Sequence, residues 1–396
     1  MCGKSRILYL YSDRITLNDI PWGLVEIGRE VEIYNQVVSL QYYVKEEYQV
    51  LYEYLRVHDF DLAIMHNFSA MVSDVCEALH MKYLSWIFDS PLVDLYTKSF
   101  YNKCNYIFVF DKKQYERLLL RGRSHLYHMP LAVNVDRMSA IQISEEDEKK
   151  YSCDISFVGN LYTQNAFNAF SSKIPVKIRA KMVEYMKMHV LKWEKDQTIF
   201  GMLDQQDVKE LTEICSLGDW VDMNPGYYLE VQFLSRKMAE IERVCILNAL
   251  ALNQKVSLFT SDHTEMLENV TVCSEISYEN DAPKVFQLSK INLNMTLRSI
   301  ETGVPQRVFD IMGAGGFVIS NYQEELETLF APDVEIVLYH NVAELVEKVN
   351  YYLHHEKERI RIAMNGYLKV KKQYTYDKRL ECMLEMVEKQ ESTEKK

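Results

Sequence analysis

A chain of 396 residues, 48% hydrophobic and 26% charged, has enough apolar material for two ordinary domains with separate cores. A net charge of −12 without a broad basic stripe argues against a nucleic-acid partner. The first apolar run, Ile7 to Tyr11, is too short for a signal-peptide core or a membrane span, and eight scattered cysteines without a C-x-x-C pair suit a reduced, cytoplasmic protein.

Arg6 to Tyr11 reads as an apolar strand running into Ser12-Asp13-Arg14. A helix follows, with Pro21-Trp22-Gly23 near its start and Gly28 at its end, and then Glu30 to Tyr34 as a second strand. This opening is Rossmann-like, yet it lacks G-x-G-x-x-G, which disfavours a dinucleotide site. Helical sequence runs from Gln41 to Arg56, and Leu62 to Met65 is a strand ending in His66-Asn67. Ser73 to Leu79 is helical. Tyr83 to Phe88 is a strand ending in Asp89-Ser90-Pro91, and Tyr106 to Phe110 one ending in Asp111. A helix from Lys113 to Leu120 leads to His128 and the segment Pro130 to Asn134. The alternation predicts a parallel sheet wrapped on both sides, with ligands beyond the carboxyl ends of the strands. His66, Asp89 and Asp111 fall at those ends. His66 reads either as a ligand contact or base, or as a buried structural histidine. Asp89 reads either as a carboxylate placed to take a proton from a substrate, or as the cap of a turn.

The charge run Ser144 to Lys150 reads as a solvated linker and sets a domain boundary. The expected division is 1–143, a linker at 144–152, a second domain at 153–373, and 374–396 as a closing helix with a frayed tail. Cys153 to Val158 opens the second domain as a strand, followed by Gly159-Asn160, where a glycine lets backbone come close to a ligand or simply makes a turn. Ile174 to about Tyr227 reads as helices, a lid or an insertion. Leu234 to Leu252 is a helix and Lys255 to Phe259 the strand after it. Beyond residue 330, Ala343 to Leu353, Lys357 to Lys371 and Tyr376 to Lys389 are helical.

The stretch from Ile291 to Phe330 is the most informative. Ile291 to Met295 alternates as a strand, and a polar loop carries Thr296, Arg298, Ser299, Glu301 and Thr302. A helix capped at Thr302 or Gly303, with Pro305 in its first turn, carries Gln306, Arg307 and Asp310 and stops at Gly313 to Gly316. Phe317 to Ser320 is a buried strand, so the unit has the length of a βαβ crossover. Arg307 and Asp310 share one helical face near the N-terminus. They suit a diphosphate and a ribose, both facing a cleft, or they form a surface ion pair.

The residues Asn294, Arg307-Val-Phe-Asp310, Gly313-Ala-Gly-Gly316 and Glu325 to Phe330 resemble the C-terminal half of the CgeB-like, spore-maturation type glycosyltransferases. Ser85 to Pro91 and Pro130 to Asn134 resemble the N-terminal half of that family. The resemblance implies a GT-B fold: two Rossmann-like α/β domains with parallel sheets facing a cleft, the acceptor on the first and the donor on the second. It implies transfer of a sugar from a nucleotide-sugar, a UDP-sugar first among donors, to an acceptor of unspecified kind, with no cofactor. Relatives of this fold carry Glu where this chain has Asp310. The implied donor residues are Arg307, Asp310, Arg298, Gly159, Asn160, Asn294, Thr296 and Gln306; Asp89 and His66 are the catalytic candidates. Arg298 would assist charge on the leaving diphosphate. The segment Tyr374 to Glu388 would cross back onto the first domain. A sugar-nucleotide epimerase and a silent nucleotide-sugar-binding subunit share this architecture and stay open as alternatives. The triplet Asp59-Phe60-Asp61 lies before a strand, at the wrong end of the sheet for a donor metal, and no other metal-ligand spacing occurs.

Overall fold

The computed structural model describes residues 6–12, 18–40, 43–122, 125–194, 201–215 and 222–394. Asp13, Arg14 and Gln41 lie outside the described residues. Among those described, twelve strands form two sheets, and every pairing is parallel. In the first sheet, β1 (Arg6–Ser12), β2 (Glu30–Val38), β3 (Leu62–His66), β4 (Lys82–Ile87), β5 (Asn105–Val109) and β6 (Leu126–His128) lie in the order β2-β1-β3-β4-β5-β6. In the second, β7 (Cys153–Val158), β8 (Val256–Phe259), β9 (Thr271–Cys273), β10 (Ser289–Asn294), β11 (Val318–Asn321) and β12 (Val337–Tyr339) lie in the order β12-β11-β10-β7-β8-β9. The order reverses between β1 and β3 and again between β7 and β10, which marks two crevices at the carboxyl edges.

The central strands are buried on both faces, as parallel strands between helical layers must be, which is why they read as near-continuous apolar runs. Side-chain caps set several helix starts. Ser69 accepts from Val72 N, Asp111 from Lys113 N and Gln114 N, and Asn134 from Arg137 N. The charge run is not a linker but a helix, Glu145–Tyr151, held by a full capping box between Ser144 and Asp147. Tyr151 at its end is buried, and Lys284 pairs with Asp147 at 2.8 Å, so the run packs on the second domain.

The lysine- and methionine-rich stretch forms a helical insertion with a core of its own. Phe167, Ile178, Met182, Leu211, Leu229 and Phe233 belong to it. It also reaches the first domain: Met223 is buried in that domain's core, and Arg117 Nη1 donates to the Tyr227 hydroxyl at 2.9 Å. The closing helix, Tyr376–Glu394, packs on the helix Asp19–Glu26 of the first domain. Val133 N donates to Tyr374 O at 2.9 Å, the Tyr376 ring meets Trp86 at 5.6 Å, and Leu380, Met383 and Val387 are buried. A Cβ on Gly23 would lie 2.8 Å from Leu380, so a glycine is needed where the two helices cross.

Candidate active site

The loop after β7 and the loop after β10 flank the crevice of the second sheet, and a pocket of about 360 Å³ lies between them. Gly159 has φ +154, a region that side chains rarely enter, and the chain then turns under Asp262, whose Oδ2 accepts from Leu161 N and Tyr162 N. Six of the expected donor residues belong to this neighbourhood. Gly159, Asn160, Asn294, Thr296 and Arg307 line the pocket, and Gln306 lies beside it. Asn294 is a brace: its Nδ2 donates to Thr296 Oγ1 at 3.0 Å and Ser320 Oγ at 2.8 Å, while Thr296 N donates to Asn321 Oδ1 at 2.7 Å.

The helix Gln306–Gly313 is capped at Pro305, two or three residues later than the sequence suggests, because Pro305 is extended (ψ 153) and serves as N-cap without a side-chain bond. It ends in a Schellman motif: Gly315, at φ +80, donates to Met312 O and Gly316 N to Ile311 O. Arg307 is half-buried, its guanidinium 5.3 Å from the Phe286 ring and its Nη1 without a hydrogen-bond partner. Asp310 does not face open cleft. It is 1% exposed, one turn deeper than Arg307. Its Oδ1 accepts from the Tyr278 hydroxyl at 2.7 Å and Gln306 Nε2 at 2.8 Å, and its Oδ2 has no partner. Burial pushes its carboxyl above the usual range, against the pull of Arg307.

A residue with no sequence motif completes the group. Arg243, from the helix Arg236–Ala251, is 6% exposed and enters the pocket from below. Its guanidinium donates to Asn160 O and, at 2.6 Å, to Met295 O, so it ties the two loops together. It lies 4.7 Å from the Tyr162 ring and 5.2 Å from Phe157, and its Nε has no partner. Burial lowers its pKa, though arginine stays charged in proteins. Leaving a buried donor unpaired costs about 1–3 kcal/mol. Arg243 Nε and Arg307 Nη1, both on residues of the pocket lining, carry that cost, which a polar ligand in the pocket would remove.

Arg298 is not brought into this pocket. It is buried against Glu242 in an ion pair, donates to Lys192 O at 2.6 Å and lies 4.9 Å from the Trp193 ring. With its donors committed on the far side of the loop, it braces the loop and lines a separate pocket of about 340 Å³ with Trp193 and Thr296. His66 is 3% exposed, with its ring 3.7 Å from Phe88. Burial lowers its pKa to about 3, so it is neutral, and the structure keeps it out of the cleft lining. Asp111 is also sealed: it caps a helix and accepts from Ser90 Oγ at 2.9 Å and Glu301 N at 2.8 Å, joining the two domains. Asp61 Oδ2 accepts from Arg6 N at 2.8 Å, on the edge of the sheet opposite the crevice.

Asp89 is exposed and lines a second pocket of about 490 Å³ between the domains, with Asn67 Nδ2 donating to its Oδ2 at 3.0 Å. Tyr162, Leu297 and Ile300 line both pockets, which makes them one continuous cleft.

Residues 243–385 match the family of glycosyl transferase-like proteins, a span that opens on Arg243 and contains Arg307 and Asp310. No curated protein sequence matches the chain. Among solved structures, Anabaena HepE in complex with UDP and glucose is similar over 97% of this chain and 100% of its own, with a TM-score of 0.53 at 10% identity. Sucrose-phosphate synthase from Thermosynechococcus elongatus is similar over 98% and 100%, at 0.51 and 11%. T4 phage BGT with its UDP-glucose substrate is similar over 97% and 98%, at 0.51 and 12%. The chain has their GT-B fold.

Proposed function

We propose that this chain is a glycosyltransferase of the CgeB-like kind, moving a sugar from a UDP-sugar to an acceptor hydroxyl. One observation carries the reading: Arg243 and Arg307, both with unpartnered N–H groups, converge on a pocket at the topological switch point, beside the Gly159-Asn160 backbone. That lining suits a nucleoside diphosphate, with charge-assisted donors for the phosphates. Asp310 lies one turn behind that lining, steadied by Tyr278 and Gln306, and its unpartnered Oδ2 is the atom that suits the ribose hydroxyls. The family match over 243–385 supports transfer, and the presence of UDP or UDP-glucose with HepE and T4 phage BGT supports uridine as the base.

As the bond to the anomeric carbon breaks, negative charge gathers on the departing diphosphate. Two fixed guanidiniums stabilise that charge without reorganising. Across the cleft Asp89 takes the proton of the attacking hydroxyl. The positive charge comes from the protein itself, so the reading is metal-independent and needs no resident cofactor. Activity that disappears with EDTA and returns with manganese would overturn that part.

The test is calorimetric titration of UDP, GDP and dTDP against the parent and the Arg243→Ala and Arg307→Ala variants, joined to an assay of UDP release with acceptor. Tight UDP binding that both variants weaken supports the reading. A parent that binds no diphosphate, or variants that bind as the parent does, would move the phosphate site elsewhere.

A further inference from the structure

The helix that leads into Arg243 is interrupted. Pro225–Glu230 and Arg236–Ala251 are α-helical, and between them Val231–Ser235 winds as a π turn. Such turns shift the phase of a helix and concentrate at functional sites. Here the turn, through Gln232 and Ser235, and Arg236, the first residue after it, form one wall of the 490 Å³ pocket, opposite Asp89 and Asp94 of the first domain. Arg236 is exposed and Gln232 half-buried. Ser235 is 0% exposed, and its hydroxyl has no hydrogen-bond partner at the floor of the pocket. The wall is also fixed in place, because the preceding residues Met223 and Tyr227 are anchored on the first domain.

We propose that this π turn reads the acceptor, that Gln232, Ser235 and Arg236 are its specificity-determining residues, and that the acceptor is a saccharide. The inference rests on the transferase reading above and names the partner of the same cleft. Each sugar hydroxyl both gives and takes a hydrogen bond. One wall supplies donors, from Gln232 and Arg236, and the other supplies acceptors, the carboxylates of Asp89 and Asp94. Tyr162 and Tyr228 line the same pocket and add aromatic surface for the apolar side of a sugar ring. A lipid acceptor would call for an apolar channel. The volume exceeds that of the donor pocket, room for more than a single small alcohol.

The experiment uses the full chain saturated with UDP on a printed array of defined oligosaccharides, with UDP affinity measured in parallel. The parent is expected to bind a restricted set of saccharides. Gln232→Ala and Arg236→Ala should each lower that binding about tenfold or more, with UDP affinity within twofold of the parent. Ser235→Ala should lower saccharide binding several-fold without lowering the melting temperature, since it deletes a buried hydroxyl that bonds to nothing in the fold. If UDP binds and no saccharide does, the acceptor class is wrong while the transferase reading stands. If saccharides bind equally well to all three variants, the π turn does not read them. If UDP itself fails to bind, the donor assignment fails first.

Discussion

Two arginines, not one, hold the proposed diphosphate, and they do so from different elements. Arg307→Ala removes a charge-assisted contact worth on the order of 2–3 kcal/mol, roughly a 30- to 150-fold loss of UDP affinity. Arg243→Ala should lose a comparable amount and also loosen the Asn160 and Met295 loops that it ties, so its melting temperature should fall where that of Arg307→Ala does not. Calorimetry and a thermal melt on the same samples separate the two. Arg298 gives the opposite pattern. Its removal leaves the Glu242 carboxylate buried without its counter-charge, held among the described residues only by Leu191 N at 3.1 Å, a cost of about 3–5 kcal/mol, while the UDP affinity of the folded fraction stays near that of the parent. A selective loss of UDP affinity in Arg298→Ala would return that residue to the donor site. Asp89→Asn should lower turnover and spare UDP binding, because it alters the acceptor side alone. Arg307 and Asp310 were legible from sequence as a pair on one helical face near a helix start. Arg243 was not, because nothing in the apolar and charged sequence from Arg236 to Ala251 tells which residue of that helix points into a cleft assembled from loops far away in the chain. The depth of Asp310 was equally hidden, since it depends on Tyr278 lying over it.

At the level of elements, apolar strands down to four residues were legible, and strands of three were not. β6 and β12 are three residues each, too few for a period to show, and they exist because a neighbouring strand offers them a ladder. The acidic run before β7 was read as solvated because it is highly charged. Its fate was set by the Ser144 and Asp147 pair, a capping box that uses the charge to start a helix. Ser144→Ala should cost about 1 kcal/mol of stability, read from a denaturant melt, with UDP affinity unchanged. The loop at 299–303 shows how tightly elements of different domains meet. A Cβ on Gly303 would lie 2.8 Å from the Phe110 ring and 2.9 Å from Asp111 Cα. Gly303→Ala should therefore separate the domains at this point and lower turnover more than UDP affinity, since the donor pocket lies within one domain and transfer needs both. Equal losses in the two would show that the loop serves only the donor.

For the molecule as a whole, two parallel α/β domains were legible because strand and helix alternate twice, once on each side of the charge run, while the GT-B plan came from the family resemblance. What the pattern could not show is the clasp between the halves. The Thr302 hydroxyl lies 3.1 Å from Asp111 Oδ1 and 2.9 Å from Glu325 Oε1, Lys112 N donates to Glu325 at 2.8 Å, and His128 Nε2 meets Glu325 Oε2 at 2.8 Å. Burial works against the charged form of His128, yet the bond and charge of Glu325, with Asp111 nearby, raise its pKa above the ordinary value. A raised histidine pKa gives stability that is complete below about pH 6.5 and is lost as pH rises through the folded-state value. The melting temperature should therefore fall over that interval, and His128→Gln should remove this part of the slope; an unchanged slope would assign it to another group. The closing helix has a consequence for biosynthesis. The first domain is completed by residues 376–394, whose Leu380 and Met383 cover its helix Asp19–Glu26. At about 5–20 residues per second, roughly 12–50 s of translation separate residue 143 from that helix. For that interval the nascent first domain, still tethered to the ribosome, has an uncovered apolar face open to chaperones or to its own second domain.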